Sequence, residues 1–261
     1  QDIGTAIYRH NDWPFDTLVF VVGSEQQYHF KVLFAILEKL GFPWAKNLFH
    51  LSYGMVNLPE GKMKSREGTV VDADDLLDKL HQMALDEIRE KEREAEVGDP
   101  GEVAEKVALG ALHYYLLSVT AAKDMLFNPR ESLSFNGNTG PYLQYMGARI
   151  SSMLRKAGAD GDSDAPAGDF PPPGDPEWEL IKTIALYGEA LDEAARAMDP
   201  SVLAAYLYNL SRAFSRFYHD CPILAAPTPA LRSARLSLSK AVLRILKDAM
   251  RLLCIPFLEI M

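Results

Sequence analysis

The sequence predicts an α/β unit followed by an all-α region, and three observations carry that prediction. Leu18 to Val22 (Leu-Val-Phe-Val-Val) is a continuous apolar and β-branched run, the pattern of a strand buried on both faces. Gly23-Ser24, a helical-period stripe (Phe30, Leu33, Phe34, Leu37, Leu40) and a second strand-like run, Leu48 to Val56, follow it. Strand, turn, helix and strand make a βαβ unit, so parallel pairing in a doubly wound sheet is expected. Beyond Val71 every long pattern is helical, so the architecture changes there.

The first helix should stop at Gly41 and Pro43. Asp72 is a candidate cap for a helix to about Ala95, with Leu76, Leu77, Leu80, Met83, Ala84 and Ile88 at a 3.6 period. Gly98-Asp-Pro-Gly101 ends it, and Glu102 to Ala122 reads as the next helix. Asn138 or Thr139 can cap a helix with Pro141 near its start and Met146, Ile150, Met153 and Leu154 as its buried stripe. Tyr142, Tyr145 and Arg149 fall on a different face of it. Residues 158–176 are mostly Gly, Asp, Pro and Ala and read as a linker. Three helices should close the chain: Glu177 to Met198, one capped by Asp199 that runs to about Tyr218, and Ala230 to Cys254. On the last, Val242, Leu246, Ala249 and Leu253 form one stripe, and Lys240, Arg244, Lys247 and Arg251 form another.

With 48% hydrophobic residues in 261, the chain can bury one large core or two smaller ones. No apolar run approaches the roughly 20 residues of a membrane span, so no membrane partner is expected. Gln1 to Asp16 is polar, with no signal peptide and no opening Met, so upstream sequence is expected to be missing. Two cysteines, Cys221 and Cys254, and six scattered histidines fit no metal-ligand spacing. Free thiols in a reducing cytoplasm and no bound metal are expected. The net charge of −9 hides an asymmetry: Pro200 to Met261 carries eight Lys/Arg against three acids, or +5, which leaves −14 for the rest. A basic stretch on an acidic protein is either a polyanion footprint or a solvated helix face.

Between strand and helix lies Gly61-Lys-Met-Lys-Ser-Arg-Glu-Gly68, with three cations, one hydroxyl and two glycines in eight residues. Glycines let backbone approach a polyphosphate, and Lys and Arg stabilise charge that develops during phosphoryl or nucleotidyl transfer. A lone loop of this kind is more often a solvated basic turn.

Five motifs in register, this loop among them, resemble arginyl-tRNA synthetases. They are Gln1-Asp-Ile-Gly4, Val21-Val-Gly-Ser-Glu-Gln-Gln-Tyr-His29, Gly54-Met-Val56, Gly61 to Val71, and Gly137-Asn-Thr-Gly-Pro-Tyr-Leu-Gln-Tyr145. The ending Leu252 to Met261 is also similar. The resemblance implies the second half of a Rossmann-type class I catalytic domain in residues 1–72. It implies helices that connect catalysis to tRNA in 73–128, and an α-helical bundle anticodon-binding domain in 129–261. The implied activity is an arginine–tRNA ligase, which activates arginine with ATP and passes it to tRNA. Its partners would be arginine, ATP with Mg2+, and arginine tRNA.

On this resemblance Asp2 and Gln26 match substrate-binding positions, since a carboxylate suits a guanidinium. His29, Lys62 and Met63 match positions at ATP. Lys62, Lys64, Ser65 and Arg66 match the catalytic signature loop, usually Lys-Met-Ser-Lys-Ser, so Ser65 stands where that pattern has its second lysine. Tyr142, Tyr145 and Arg149 match anticodon-arm contacts, with exposed tyrosines expected to stack on unpaired bases. Lys240, Arg244, Lys247 and Arg251 would add phosphate contacts. Read without the family, Asp2 is a helix cap, Gln26 and His29 are surface residues, and the tyrosines are interhelical packing. The class's His-x-Gly-His motif does not occur. A fragment inactive alone is therefore expected, with self-association through apolar sheet surface at Leu18, Phe20 and Val22. The alternatives are a non-catalytic tRNA-binding module and another class I ligase such as the cysteine enzyme.

Overall fold

A computed structural model describes residues 1–57, 72–90, 98–158 and 171–261. The chain divides into two compact units: Gln1–Gly61 with Val119–Leu126, and Lys62–Ser118 with Phe127–Met261. Among the described residues no helix is long and apolar enough to cross a membrane.

The first unit opens with a helix that hydropathy did not predict, α1 (Asp2–Asp12). Apart from the exposed Tyr8 its apolar residues are Ile3, Ala6 and Ile7, and that i, i+3, i+4 triplet seats it on the unit's core. Strand β1 (Leu18–Gly23), helix α2 (Gln27–Lys39) and strand β2 (Leu48–Tyr53) form the expected βαβ unit. The strands pair in parallel, from Leu18 opposite Leu48 to Gly23 opposite Tyr53. Phe30, Leu33 and Leu37 of α2 are buried against this sheet with Ala6, Ala45 and Leu48.

The sheet's two faces are the reverse of the sequence expectation. Leu18, Phe20 and Val22 pack on the α2 core, whereas Val19 (36% exposed) and Val21 (64%) face outward. Alternation decides this, because α2 covers only one face of a parallel pair. Phe49 and Tyr53 of β2 are exposed as well.

The run Leu48 to Val56 is not one strand. It breaks at Gly54-Met55, and a short β3 (Val56–Asn57) pairs in parallel with β4 (Met125–Leu126). The break receives the returning chain. Gly54 N donates to the Ala121 carbonyl at 2.7 Å, and Met55 N donates to Asp124 Oδ1 at 2.7 Å. A Cβ on Gly54 would lie 2.3 Å from the Lys123 carbonyl, so the motif glycine is set by close backbone approach.

In the second unit, α3 (Ala73–Glu90) packs on α4 (Pro100–Leu117), and a short α5 (Pro129–Ser132) follows. Then come α6 (Gly140–Lys156), α7 (Asp175–Ala185), α8 (Tyr187–Ala197), α9 (Pro200–Asp220) and α10 (Pro229–Leu252). Side-chain caps from Asp99, Asn128, Thr139, Asp199 and Thr228 each precede a proline within the first two helical positions, so local chemistry fixes five starts. The helix expected to run to Ala122 ends at Leu117, because the chain returns to the first unit at Val119. The helix expected from Glu177 to Met198 is two, divided at Leu186, and Met198 closes the second in a left-handed conformation.

The helical core is built on α6, α9 and α10, with Leu143, Met146, Ile150, Leu207, Phe214 and Leu246 fully or almost fully buried. One ion pair is buried with it. Arg235 Nε donates to Glu177 Oε1 at 2.8 Å, and Arg235 Nη1 to the Pro222 carbonyl at 2.6 Å. Glu177 Oε2 also accepts from Gly174 N at 2.6 Å, at the start of α7. One of the eight cations counted towards a basic surface is therefore internal and neutralised.

Candidate active site and nucleic-acid interface

In the first unit the carboxyl end of β1 turns through a 3-10 segment, Ser24–Gln26, into α2. This places Gln26 on the turn and His29 in the first turn of α2. Gln27 Nε2 donates to Ser52 Oγ at 3.2 Å and ties the turn to β2. Asp2 stands in the first turn of α1, where Gln1 is the capping position and no side-chain cap bond forms. Asp2 is thus not a helix cap. Its Oδ2 accepts instead from His29 Nε2 at 2.9 Å, with both side chains more than half exposed. Two residues 27 positions apart meet at the open end of a parallel sheet, where α/β folds hold ligands. An exposed pair of this kind contributes about 0–1 kcal/mol, so the carboxylate stays available to a stronger cationic partner.

Lys62, Met63, Lys64, Ser65 and Arg66 lie outside the described residues. Among the described residues no group of three or more His, Cys, Asp or Glu is arranged to hold a metal ion.

In the second unit α6 carries Tyr142, Tyr145 and Arg149 on one face, and α9 meets that face with Tyr208, Arg212 and Tyr218. The Arg149 guanidinium sits 4.2 Å over the Tyr218 ring, and Arg212 lies 5.8 Å over Tyr208. Tyr142 contacts Tyr208 edge to face at 6.0 Å. Burial pushes the Tyr142 phenol above its ordinary value and the neighbouring Tyr208 adds to this, while Arg212 and Arg149 oppose it. The expectation of exposed tyrosines is corrected here. Both Tyr142 and Tyr145 are half-buried and pack on the helical core, because α9 crosses the face they occupy.

Tyr145, Arg149 and Tyr218 line an open cleft of about 430 Å3, with Arg155, Lys156 and Ile260 also on its walls. The cationic stripe of α10 does not line it. Arg244, Lys247 and Arg251 are exposed and Lys240 is half-buried. Arg251 bonds Asp248 at 3.1 Å and Lys247 bonds Glu259 at 2.6 Å, so acids offset part of the stripe. Sequence reasoning missed Arg155, Lys156, Tyr208, Arg212 and Tyr218. The i, i+4 spacing of Tyr208 and Arg212 on a helix was the available signal.

Two family profiles cover most of the chain. That described as tRNA synthetases class I (R), catalytic domain, matches residues 1–129, and that of the DALR anticodon binding domain matches residues 143–261. The chain is 60% identical over 265 residues to the arginine–tRNA ligase of Treponema denticola. The chain belongs to the class I arginyl-tRNA synthetase family. The arginine–tRNA ligase of Treponema pallidum is 59% identical over 99% of this chain. In both relatives the match spans 45% of their length. Among solved structures, the arginyl-tRNA synthetase of Thermus thermophilus superposes with a TM-score of 0.82 at 33% identity, over 94% of this chain and 41% of that one. The Plasmodium falciparum arginyl-tRNA synthetase shares the fold at a TM-score of 0.81 and 22% identity. Within the family's two matched regions, the Asp2–His29 pair falls in the catalytic one and the cleft at Tyr145 and Arg149 in the anticodon-binding one.

Proposed function

We propose that this chain supplies the signature-loop half of the catalytic domain and the anticodon-reading domain of an arginine–tRNA ligase. The observation that carries the reading is whole-chain identity of 60% to such an enzyme. The meeting of Asp2 and His29 at the open end of the sheet supports it. In this reading the Asp2 carboxylate takes the arginine guanidinium through paired charged hydrogen bonds, and Gln26 completes the substrate contact. His29, Lys62 and Met63 hold ATP. Lys62, Lys64, Ser65 and Arg66 stabilise the phosphate charge that develops as the adenylate forms. Mg2+ arrives on the ATP phosphates.

Tyr145 and Arg149 present the cleft to unpaired bases of the arginine tRNA, and Tyr142, set against Tyr208 of α9, adds its ring to the same face of α6. Lys240, Arg244 and Arg251 meet phosphates outside the cleft, and Lys247 joins them only when Glu259 releases it. The cell compartment in this reading is the cytoplasm.

A chimera tests the proposal. The matched part of the Treponema denticola relative is replaced by this chain, and aminoacylation is measured. Charging of arginine, lost by at least about 100-fold in kcat/KM when Asp2→Asn is introduced, is the expected result. A chimera that charges another amino acid, or one indifferent to Asp2→Asn, overturns it. The isolated chain should bind tRNA at low salt without forming arginyl-adenylate.

A further inference from the structure

The segment after α10 is held to the helical unit more firmly than a surface loop requires. Cys254 reverses the chain in a left-handed conformation at φ 55°, and Ile255 N closes the helix on the Met250 carbonyl at 2.8 Å. His113 of α4 donates to the Cys254 carbonyl at 2.5 Å. Gln144 of α6, fully buried, donates from Nε2 to the carbonyls of Lys106 and Pro256, each at 2.8 Å. Ile255 and Leu258 are buried. Phe257 lies so close to Gly147 that a Cβ there would be 2.4 Å from the ring.

This anchoring delivers Glu259 to one place. Its carboxylate takes Lys247 Nζ of α10 at 2.6 Å and Arg155 Nη1 of α6 at 3.6 Å. Its backbone carbonyl accepts from the same guanidinium at 3.3 and 3.4 Å. Glu259 is the only acidic side chain among the described residues lining the cleft, whose other charged side chains are Arg149, Arg155 and Lys156. A carboxylate there opposes any polyanion. It is not needed to hold the segment, since its ion pairs are more than a third exposed and contribute about 0–1 kcal/mol, less than the buried anchors upstream.

We infer that Glu259 is a specificity-determining residue of the RNA cleft, an internal anion that occupies Lys247 and Arg155 in place of a nucleic-acid phosphate. The inference rests on the tRNA reading of the cleft. With the carboxylate in place, two cations are withheld from arbitrary RNA. Indiscriminate backbone attraction is thereby lowered, while stacking and base contacts at Tyr145, Arg149 and Tyr218 keep their value. The cognate anticodon loop, which offers those contacts, is favoured relative to other RNA.

The test compares this chain with Glu259→Gln for binding to arginine tRNA and to an unrelated tRNA across a salt series. Glu259→Gln should bind the unrelated tRNA about threefold to tenfold more tightly at low salt, and the cognate tRNA by a smaller factor. Its log K against log salt should steepen by about 0.7–0.9 for each cation released to phosphate. The gain should vanish in a Lys247→Ala/Arg155→Ala background. Equal or weaker binding by a Glu259→Gln protein that melts like the parent overturns the inference and leaves the tRNA reading intact. No RNA binding by the parent chain overturns both. If Glu259→Gln fails to fold, Glu259→Ser at the same exposed position reads the same two quantities.

Discussion

Removing the Arg235 side chain should be among the costliest single changes in the helical unit. Arg235 and Glu177 are 10% and 7% exposed, and the carboxylate carries both the guanidinium and the amide of Gly174, the residue that caps α7. Arg235→Met strands that carboxylate in a protein interior, which costs about 3–5 kcal/mol. For a unit of this size that is a fall in Tm of roughly 6–20 °C. Glu177→Leu should cost a similar amount, since Arg235 keeps only the Pro222 carbonyl. Removing both takes away two desolvated charges together, so the double variant should recover most of the loss, with a coupling of at least about 2 kcal/mol. Urea denaturation followed by helical circular dichroism measures the cycle. Trp178 is adjacent to Glu177, and the other two tryptophans, Trp13 and Trp44, belong to the first unit. Its emission in a Trp13→Phe/Trp44→Phe background therefore reports α7 directly. Single costs below about 1 kcal/mol, or strict additivity, would refute the reasoning that a buried charge must be matched.

Three further outcomes are expected. Gly147→Val should cost about 1–3 kcal/mol by driving Phe257 from α6, and Phe257→Ala should recover part of it in the same melt. Burial pushes the Tyr206 phenol up to about 12 from 10.0, so the folded state keeps a proton that the unfolded chain loses. Stability is then intact below pH 10 and falls towards pH 12 by up to about 1.4 kcal/mol per pH unit, and Tyr206→Phe should make that alkaline limb shallower in denaturant titrations. Sedimentation should show self-association that Val19→Lys/Val21→Lys abolishes and that Val22→Lys only confounds by unfolding, because the two valines are the outward ones.

The sequence was most legible where one local rule decided the outcome. The apolar run at Leu18 and the 3.6-period stripe of α2 gave the βαβ unit directly, and Asp199-Pro200 marked the start of α9 to the residue. Less was legible where tertiary contact decided. Nothing local says that α2 lies on the Leu18 face and not on the Val19 face. Leu186 divides two helices with no proline and only Gly188, already inside the second, as a local mark, and backbone bonds from Leu186 to Lys182 and from Ala190 to Leu186 carry the helical pattern across it. Arg235 looks like its cationic neighbours in sequence, and its partner is 58 positions away. At the candidate site, the family motifs pointed to Asp2 and His29, but their contact is a product of folding. Tyr142 and Tyr145 were pointed to as well, and their half-burial followed from α9, a helix encoded well downstream at Pro200–Asp220.

The parallel pairing of Val56 with Met125 has a consequence for biosynthesis. Strand β3 emerges from the ribosome, and its partner follows only after roughly 70 more residues, which takes about 4–14 s at roughly 5–20 residues per second. In that interval Gly54 and Met55 lack the Ala121 and Asp124 acceptors that later satisfy their amides. The first unit therefore cannot reach its final state during its own synthesis. It must wait, with one edge unsealed, until α3 and α4 have been made and the chain has come back.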